Sequence, residues 1–364
     1  MTFSNIPTPA LVVDVPAMER NIRRMADFFA GLSCKVRPHF KAHKTPEIAG
    51  RQLAAGSCTG LTCATVGEAV VASTLCDDVL LANEIVDPAR CERLAALAVH
   101  ARITVAVDSV VGLERLAAAA GRAGVRIGVL VDVNVGMGRC GVSPGEEALA
   151  LATRAHGMRG VWLRGVMGYE GHVQPIADRA ERTRQAQAAM RGLVATASLI
   201  RAAGLPCDVV SAGGTGTFDI SGLVPGVTEI QAGSYVLMDT DYARVGVPFE
   251  QALTVLGTVV SRPGPDRCVA DCGHKSMTKD HGLPSVQGIP GADVVSLNDE
   301  HVTLRVPPDC PLAIGDHVRL APSHVDPTVN LHDLMYAVDH TTLIGVWPIA
   351  RGYAEQRLWT TTAK

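Results

Sequence analysis

From residue 35 onward the chain repeats one plan eight times: a short apolar run, a turn, then a stretch that includes helical periodicity. The runs lie at 35–38, 58–63, 79–82, 103–107, 127–133, 161–167, 208–211 and 228–232. Clear helical patterns fall between them at 46–55, 88–100, 110–123 and 178–203. Strands that alternate with helices build a parallel sheet, because a parallel crossover needs the length of chain a helix supplies. The runs are nearly all apolar rather than alternating, as suits strands covered on both faces. Eight such units also close a (β/α)8 TIM barrel. An open, doubly wound sheet is the other α/β architecture, but no G-x-G-x-x-G follows the first run.

After about Gly246 the pattern changes. Runs at 253–260, 268–271, 301–306, 317–320 and 342–348 read as strands, separated by Pro and Gly turns such as SRPGPDR and PPDCPLAIGD. The expected division is a barrel over 25–245 and a β-rich domain made from 1–24 and 246–364. Strand-like residues 10–14 belong with the second, because a closed barrel offers no edge to receive them.

Charge excludes some partners. Lys and Arg number 33 against 36 Asp and Glu, and no basic stripe carries interleaved aromatics, so nucleic acid is not expected. No run is apolar for long enough to span a membrane, and the first residues lack a signal-peptide pattern. The 10 cysteines are scattered with no C-x-x-C pair. That spacing argues against a disulfide framework or a zinc finger and fits small buried hydrophobes in a reducing cytoplasm.

The chemistry of a TIM barrel sits at the C-terminal ends of its strands, with a phosphate site commonly after strands 7 and 8. The seventh run is followed by Gly213, Gly214, Thr215, Gly216 and Thr217, and the eighth by Gly233, Ser234 and Tyr235. Small residues let backbone N–H groups approach an anion, although tight turns without a ligand also look like this. The first run is followed by Lys41, a position at the barrel mouth suited to imine chemistry if the amine is desolvated or lies near positive charge; a basic surface turn is the other reading. Arg139 follows the fifth run and can bind a phenolate or carboxylate. Tyr169 and His172 follow the sixth, as a ring contact and as an acid or base, or as a structural histidine. His324 and Asp326 are two apart, so an extended segment would turn both to one face, where imidazole and carboxylate suit a divalent ion. Loop polar groups bonded to backbone are the alternative there.

The segments RPHFKAHKTPEIA, NVGMGRCGV, SAGGTGT, EIQAGSYVLMDTDY and PSHVDPTVNLHD together resemble the D-threonine aldolase and D-serine dehydratase family. Members are fold-type III pyridoxal-phosphate enzymes, related more distantly to alanine racemase. The resemblance runs in order from Thr8 to about Gly352 and is nearest to the D-threonine aldolases. It implies an alanine-racemase-like barrel with a β domain, a homodimer, pyridoxal 5'-phosphate, and a divalent metal such as Mn, Mg, Co or Zn. It makes Lys41 the cofactor-bearing lysine, with Arg139 and Tyr169 at the cofactor. It also makes the two glycine turns the phosphate loops, and His324 with Asp326 the metal pair. Dehydratase-like members generally carry H-x-C, whereas aldolase members carry the H-x-D found here.

The implied reaction is Cα–Cβ cleavage of a β-hydroxy D-amino acid, such as D-threonine or 3-hydroxy-D-aspartate, to glycine and an aldehyde. A D-serine or 3-hydroxy-D-aspartate dehydratase is the rival, followed by a racemase and a non-catalytic cofactor-binding protein. One departure stands out. Aldolases of this group often read Y-H-G-x-x-Q-H after strand 6, but Pro175 takes the place of the last histidine. His172 or Glu170 is then the substitute, or the substrate differs.

Overall fold

The computed structural model describes residues 5–352. The expected termini at 1–4 and 353–364 lie outside the described residues. Within that range the chain forms two compact units. One comprises 25–41 and 48–233; the other comprises the residues up to 24, 42–47 and 234–352.

The first unit is the barrel. Its eight strands are Lys35–Val36, Leu61–Cys63, Asp78–Glu84, Arg102–Val107, Ile127–Asp132, Val161–Gly168, Val209–Ala212 and Glu229–Ile230. All neighbours in this sheet are parallel, and the first strand lies beside the eighth. An open sheet would leave the Leu61–Cys63 and Lys35–Val36 strands as edges. Instead two parallel bridges, Val36 to Cys58 and His39 to Thr62, join them. Val36 N donates to Ser57 O at 2.8 Å and Thr62 N to Pro38 O at 2.9 Å. The ring is thereby closed and the doubly wound alternative is excluded.

Local chemistry sets the helices between the strands. Ser109 caps Val110–Ala123 by accepting from Gly112 N, and Gly124 ends that helix in the left-handed region at φ 67°. Asp178 caps Arg179–Ala202 by accepting from Glu181 N. Leu80, Ala106, Leu130 and Met167 come from four successive strands and form one buried cluster.

Charged side chains fill part of the same barrel. Arg37 Nε donates to Glu229 Oε1 at 2.9 Å, and its Nη1 to Asp78 Oδ1 at 3.0 Å. Arg164 Nη1 reaches Asp78 at 3.2 Å and Thr104 Oγ1 at 2.6 Å. Four of these residues lie on the third, fourth, sixth and eighth strands, and Arg37 directly follows the first. Side chains from five places around a ring meet only across its lumen. Arg37 and Glu229 are almost wholly buried, at 2% and 4% side-chain exposure. Burial favours a neutral Asp78, but Arg37 and Arg164 outweigh it and hold the carboxyl below its usual range.

The second unit is a sheet in the order Asp293–Leu297, Val302–Arg305, Arg267–Ala270, Leu253–Gly264, Ala10–Asp14, Leu334–Asp339, Thr342–Pro348. His317–Ala321 also pairs with Leu253–Gly264, and Ser285–Gln287 with His317–Ala321. Ala10–Asp14 joins this sheet as expected, antiparallel to Leu253–Gly264 and parallel to Leu334–Asp339. Residues 234–245 also group here. Thr240 N donates to Pro322 O, and Asp239 accepts from Val325 N.

Replacing Arg37 by Ala leaves Glu229 buried without its partner. Breaking a buried pair from one side costs about 3–5 kcal/mol. Urea unfolding of Arg37→Ala should report a loss of that size; a change within about 0.5 kcal/mol, typical of a surface site, would contradict the buried network.

Candidate active site

Beyond the first strand Lys41 lies half-buried in the 3-10 turn Phe40–Ala42. His39 N donates to Ala232 O at 3.0 Å, so the turn bearing Lys41 leaves the ring beside the turn bearing Gly233. Gln231 N donates to Ala212 O, and Gln231 Nε2 to Ser211 Oγ, which brings the 213–217 loop next to Gly233. Ser234 and Tyr235 follow in the 3-10 turn Ser234–Val236, where Tyr235 packs its ring 5.4 Å from Phe249.

The guanidinium of Arg139 lies 5.8 Å from the centre of the Tyr169 ring, within cation–π range. Both line a small cavity with room for about one water, together with Asp132, Met137 and Cys140. Burial, with Glu84 and Asp108 nearby, pushes the Asp132 carboxyl up to about 8 despite Arg139. Donor atoms of Glu84, Asp108 and Cys140 lie within 4.8 Å of one another. Exposed His172 lies elsewhere, packed on Gly136, and lines a larger cavity of about 370 Å³ with Asn134, Val135, Arg184 and Gln185. Asn134 and Val135 border both cavities, whereas His172 borders only the larger and Arg139 only the smaller.

The 213–217 loop is held by two residues of the segment after strand 6. Glu170 is fully buried and accepts from Gly213 N at 3.1 Å, Thr217 Oγ1 at 2.7 Å and Ser221 Oγ at 2.6 Å. Gln174 accepts from Gly216 N at 2.8 Å and donates to Thr217 Oγ1 at 2.9 Å. A Cβ on Gly216 would lie 2.6 Å from the Gln174 carbonyl, and one on Gly213 would meet Ile230 at 2.6 Å in a left-handed backbone. Part of the glycine content therefore serves this internal clamp. Glu170 is taken up by three donors in the protein interior, which argues against it as the substitute for the missing histidine. The spacing of Glu170 and Gln174, four residues apart on an irregular segment, carries no signal that would have predicted the clamp.

His324 and Asp326 are not on an extended segment. Asp239 accepts from Val325 N at 3.0 Å and Thr328 Oγ1 donates to His324 O at 2.8 Å, so the chain turns into the short helix Val325–Val329. His324 is its N-cap residue and Asp326 lies in its first turn, with Ser234 Oγ 3.5 Å from Asp326 Oδ1. The donors grouped with His324 are Asp280 and His281. His324 Nδ1 is 2.6 Å from Asp280 Oδ2, and the His281 ring stacks on the His324 ring at 4.1 Å and 11°. Neither Asp280 nor His281 was expected from sequence; the adjacent Asp-His pair before Gly282 was the available signal. Nearby, burial raises the Asp239 carboxyl to about 6.

Comparison with known proteins places this architecture. The family model described as alanine racemase, N-terminal domain, matches residues 13–241, and a putative serine dehydratase domain matches 252–338. The fold is thus the alanine-racemase class of barrel with a strand-rich second unit. The crystal structure of D-threonine aldolase from Filomicrobium marinum superposes with a TM-score of 0.92 at 37% identity, covering 97% of each chain. A D-threonine aldolase from Arthrobacter sp. is 42% identical over 97% of this chain and 94% of its own. A 3-hydroxy-D-aspartate aldolase from Paracoccus denitrificans is 35% identical over the same shares. A D-threo-3-hydroxyaspartate dehydratase from Delftia sp. is 30% identical over 89% and 92%. The chain belongs to the D-threonine aldolase and D-serine dehydratase family. Among the described residues, no helix is long and apolar enough to cross a membrane.

Two measurements check this geometry. Glu170→Ala strands three buried donors, each costing about 1–3 kcal/mol, so thermal unfolding should show a loss of about 3 kcal/mol or more; a neutral substitution would refute the clamp. Asp132 has its folded pKa raised from 3.8 to about 8. The native state then holds a proton that the unfolded chain releases, and this group's contribution to stability falls as pH rises through that window. Asp132→Asn should flatten the fall in urea midpoint between about pH 5 and pH 8; an unchanged slope would contradict the raised value.

Proposed function

We propose that this chain is a pyridoxal-phosphate- and divalent-metal-dependent aldolase. It cleaves the Cα–Cβ bond of β-hydroxy D-amino acids, D-threonine or 3-hydroxy-D-aspartate, to glycine and an aldehyde. The observation that carries the reading is the 42% identity to a D-threonine aldolase across 97% of the chain. The residues present fit the cofactor: a half-buried amine beside a glycine turn, a guanidinium against an aromatic ring, and small-residue turns after the seventh and eighth strands. The donor set also fits a hard or borderline divalent ion, with imidazole and carboxylate and no thiolate at His324 and Asp326.

In this reading Lys41 binds the cofactor through its amine. Gly213, Gly214, Thr215, Gly216 and Thr217, with Gly233, Ser234 and Tyr235, hold its phosphate. Arg139, oriented on the face of Tyr169, binds the cofactor ring or the substrate carboxylate, and Tyr169 lies against the cofactor. His172 moves a proton for the substrate side chain. His324 and Asp326 hold the ion. Bound pyridoxal phosphate supplies an electron sink for the broken bond. A divalent ion supplies acidification of a bound hydroxyl or water. The proposal includes a homodimer working in the cytoplasm.

The dehydratase reading keeps specific support from the serine dehydratase domain at 252–338 and the Delftia relative. The carboxylate at Asp326, where the resemblance associates dehydratases with a thiolate, favours the aldolase.

Purified protein with pyridoxal phosphate and Mn²⁺ should convert D-threonine or 3-hydroxy-D-aspartate to glycine plus aldehyde, and borohydride should label Lys41. A keto acid and ammonia would move the assignment to the dehydratase. Labelling at another lysine, or none, would remove its foundation.

A further inference from the structure

Asp280 is bound through both carboxylate oxygens. Its Oδ2 lies 2.6 Å from His324 Nδ1, and its Oδ1 accepts from Thr278 Oγ1 at 2.6 Å. Thr278 is itself tied to the helix that His324 begins. Thr278 N donates to Thr328 Oγ1 at 3.3 Å, and the Thr328 hydroxyl donates to the His324 carbonyl at 2.8 Å. Ser323 Oγ reaches the Thr278 carbonyl at 3.4 Å. The chain of contacts returns to its start, so carboxylate and imidazole are fixed to one frame although 44 residues separate them in sequence. On one face of the His324 ring the His281 ring stacks at 4.1 Å. His281 Nδ1 is in turn 3.0 Å from Asp241 Oδ2, and Arg244 Nη2 donates to the His281 carbonyl at 3.2 Å.

We propose that Asp280 is a positioning residue for the metal, holding His324 by Nδ1 so that Nε2 is the nitrogen presented to the ion. This rests on the reading of His324 and Asp326 as the metal pair. The chemistry is general: a histidine that ligates through one nitrogen donates its other N–H to a carboxylate, which fixes the tautomer, aims the ring and makes the ligating nitrogen more basic. The pair is too exposed to matter much to stability, with 46% of the Asp280 side chain and 26% of the His324 side chain accessible. Its contribution is to direction.

The test uses cofactor-loaded protein stripped of metal by chelation, with Mn²⁺ binding followed by electron paramagnetic resonance. Asp280→Ala should weaken Mn²⁺ binding by about 10–100-fold while the cofactor absorbance and denaturation midpoint stay near those of the parent. Asp280→Asn, whose carbonyl still accepts from Nδ1, should recover part of the loss. Unchanged affinity in Asp280→Ala, with binding abolished in His324→Ala, overturns this inference alone. Unchanged affinity in His324→Ala overturns the metal reading beneath it. Loss in Asp280→Ala as complete as in His324→Ala, without recovery in the Asn variant, makes Asp280 a ligand and also overturns the positioning role.

Discussion

The barrel depends on a charge network in its own lumen. Arg37, Asp78, Arg164 and Glu229 come from the first, third, sixth and eighth strand positions of the ring, and each has a partner of opposite charge within it. Taking such charges out of water is costly, and the cost is offset only when every partner is in place. The network therefore favours one closure of the ring. It also orders the neighbourhood of the first strand: Arg37 N donates to Ile230 O, and two residues later His39 N donates to Ala232 O. Lys41 comes two residues further on, so the stability of the lumen and the placement of the Lys41 amine share the same short stretch of backbone.

Above the strands the barrel spends polar groups on shaping loops. Glu170 and Gln174 grip the 213–217 loop from its neighbour, and Arg139 rests on Tyr169. Both arrangements use the segment after the sixth strand, which is where the chain departs from the pattern its family resemblance suggests. A loop held by two bonds to one buried carboxylate and two to a neighbouring amide is preorganised, and preorganisation lowers the entropy lost when a ligand is bound. The strand-rich unit follows the same rule with different parts, since Thr278, Asp280, His324 and Thr328 brace one another.

Much of the architecture was legible because barrel strands are buried on both faces. Ile127–Asp132 is buried at every position, and its apolar run stands out from the flanking turns. The runs at 35–38 and 228–232 are longer than the two-residue strands they become, because apolar character continues into turns that hydrogen bond outside the regular ladder. Leu334–Asp339 was invisible, since LMYAVD has little alternation and few β-branched residues; its pairing with Ala10–Asp14 and Thr342–Pro348 makes it a strand. For the site, Lys41, Arg139 and the glycine turns could be picked out by residue type at strand ends. Glu170 could not, as its role depends on donors 43 to 51 residues away. The bend at His324 was equally hidden, because Asp239, which caps it, lies 86 residues from Val325.

The pairing of Ala10–Asp14 carries a consequence for biogenesis. Leu11 lies opposite Val255 on one side and Met335 on the other. On the ribosome this strand is made before either partner exists, and the barrel residues 48–233 are all synthesised in the interval. The barrel can collapse on its own hydrophobic clusters while the early strand waits with both edges unsatisfied. Completion of the strand-rich sheet is a long-range event that waits for residues 253–264 and 334–339, made well after ALVVD.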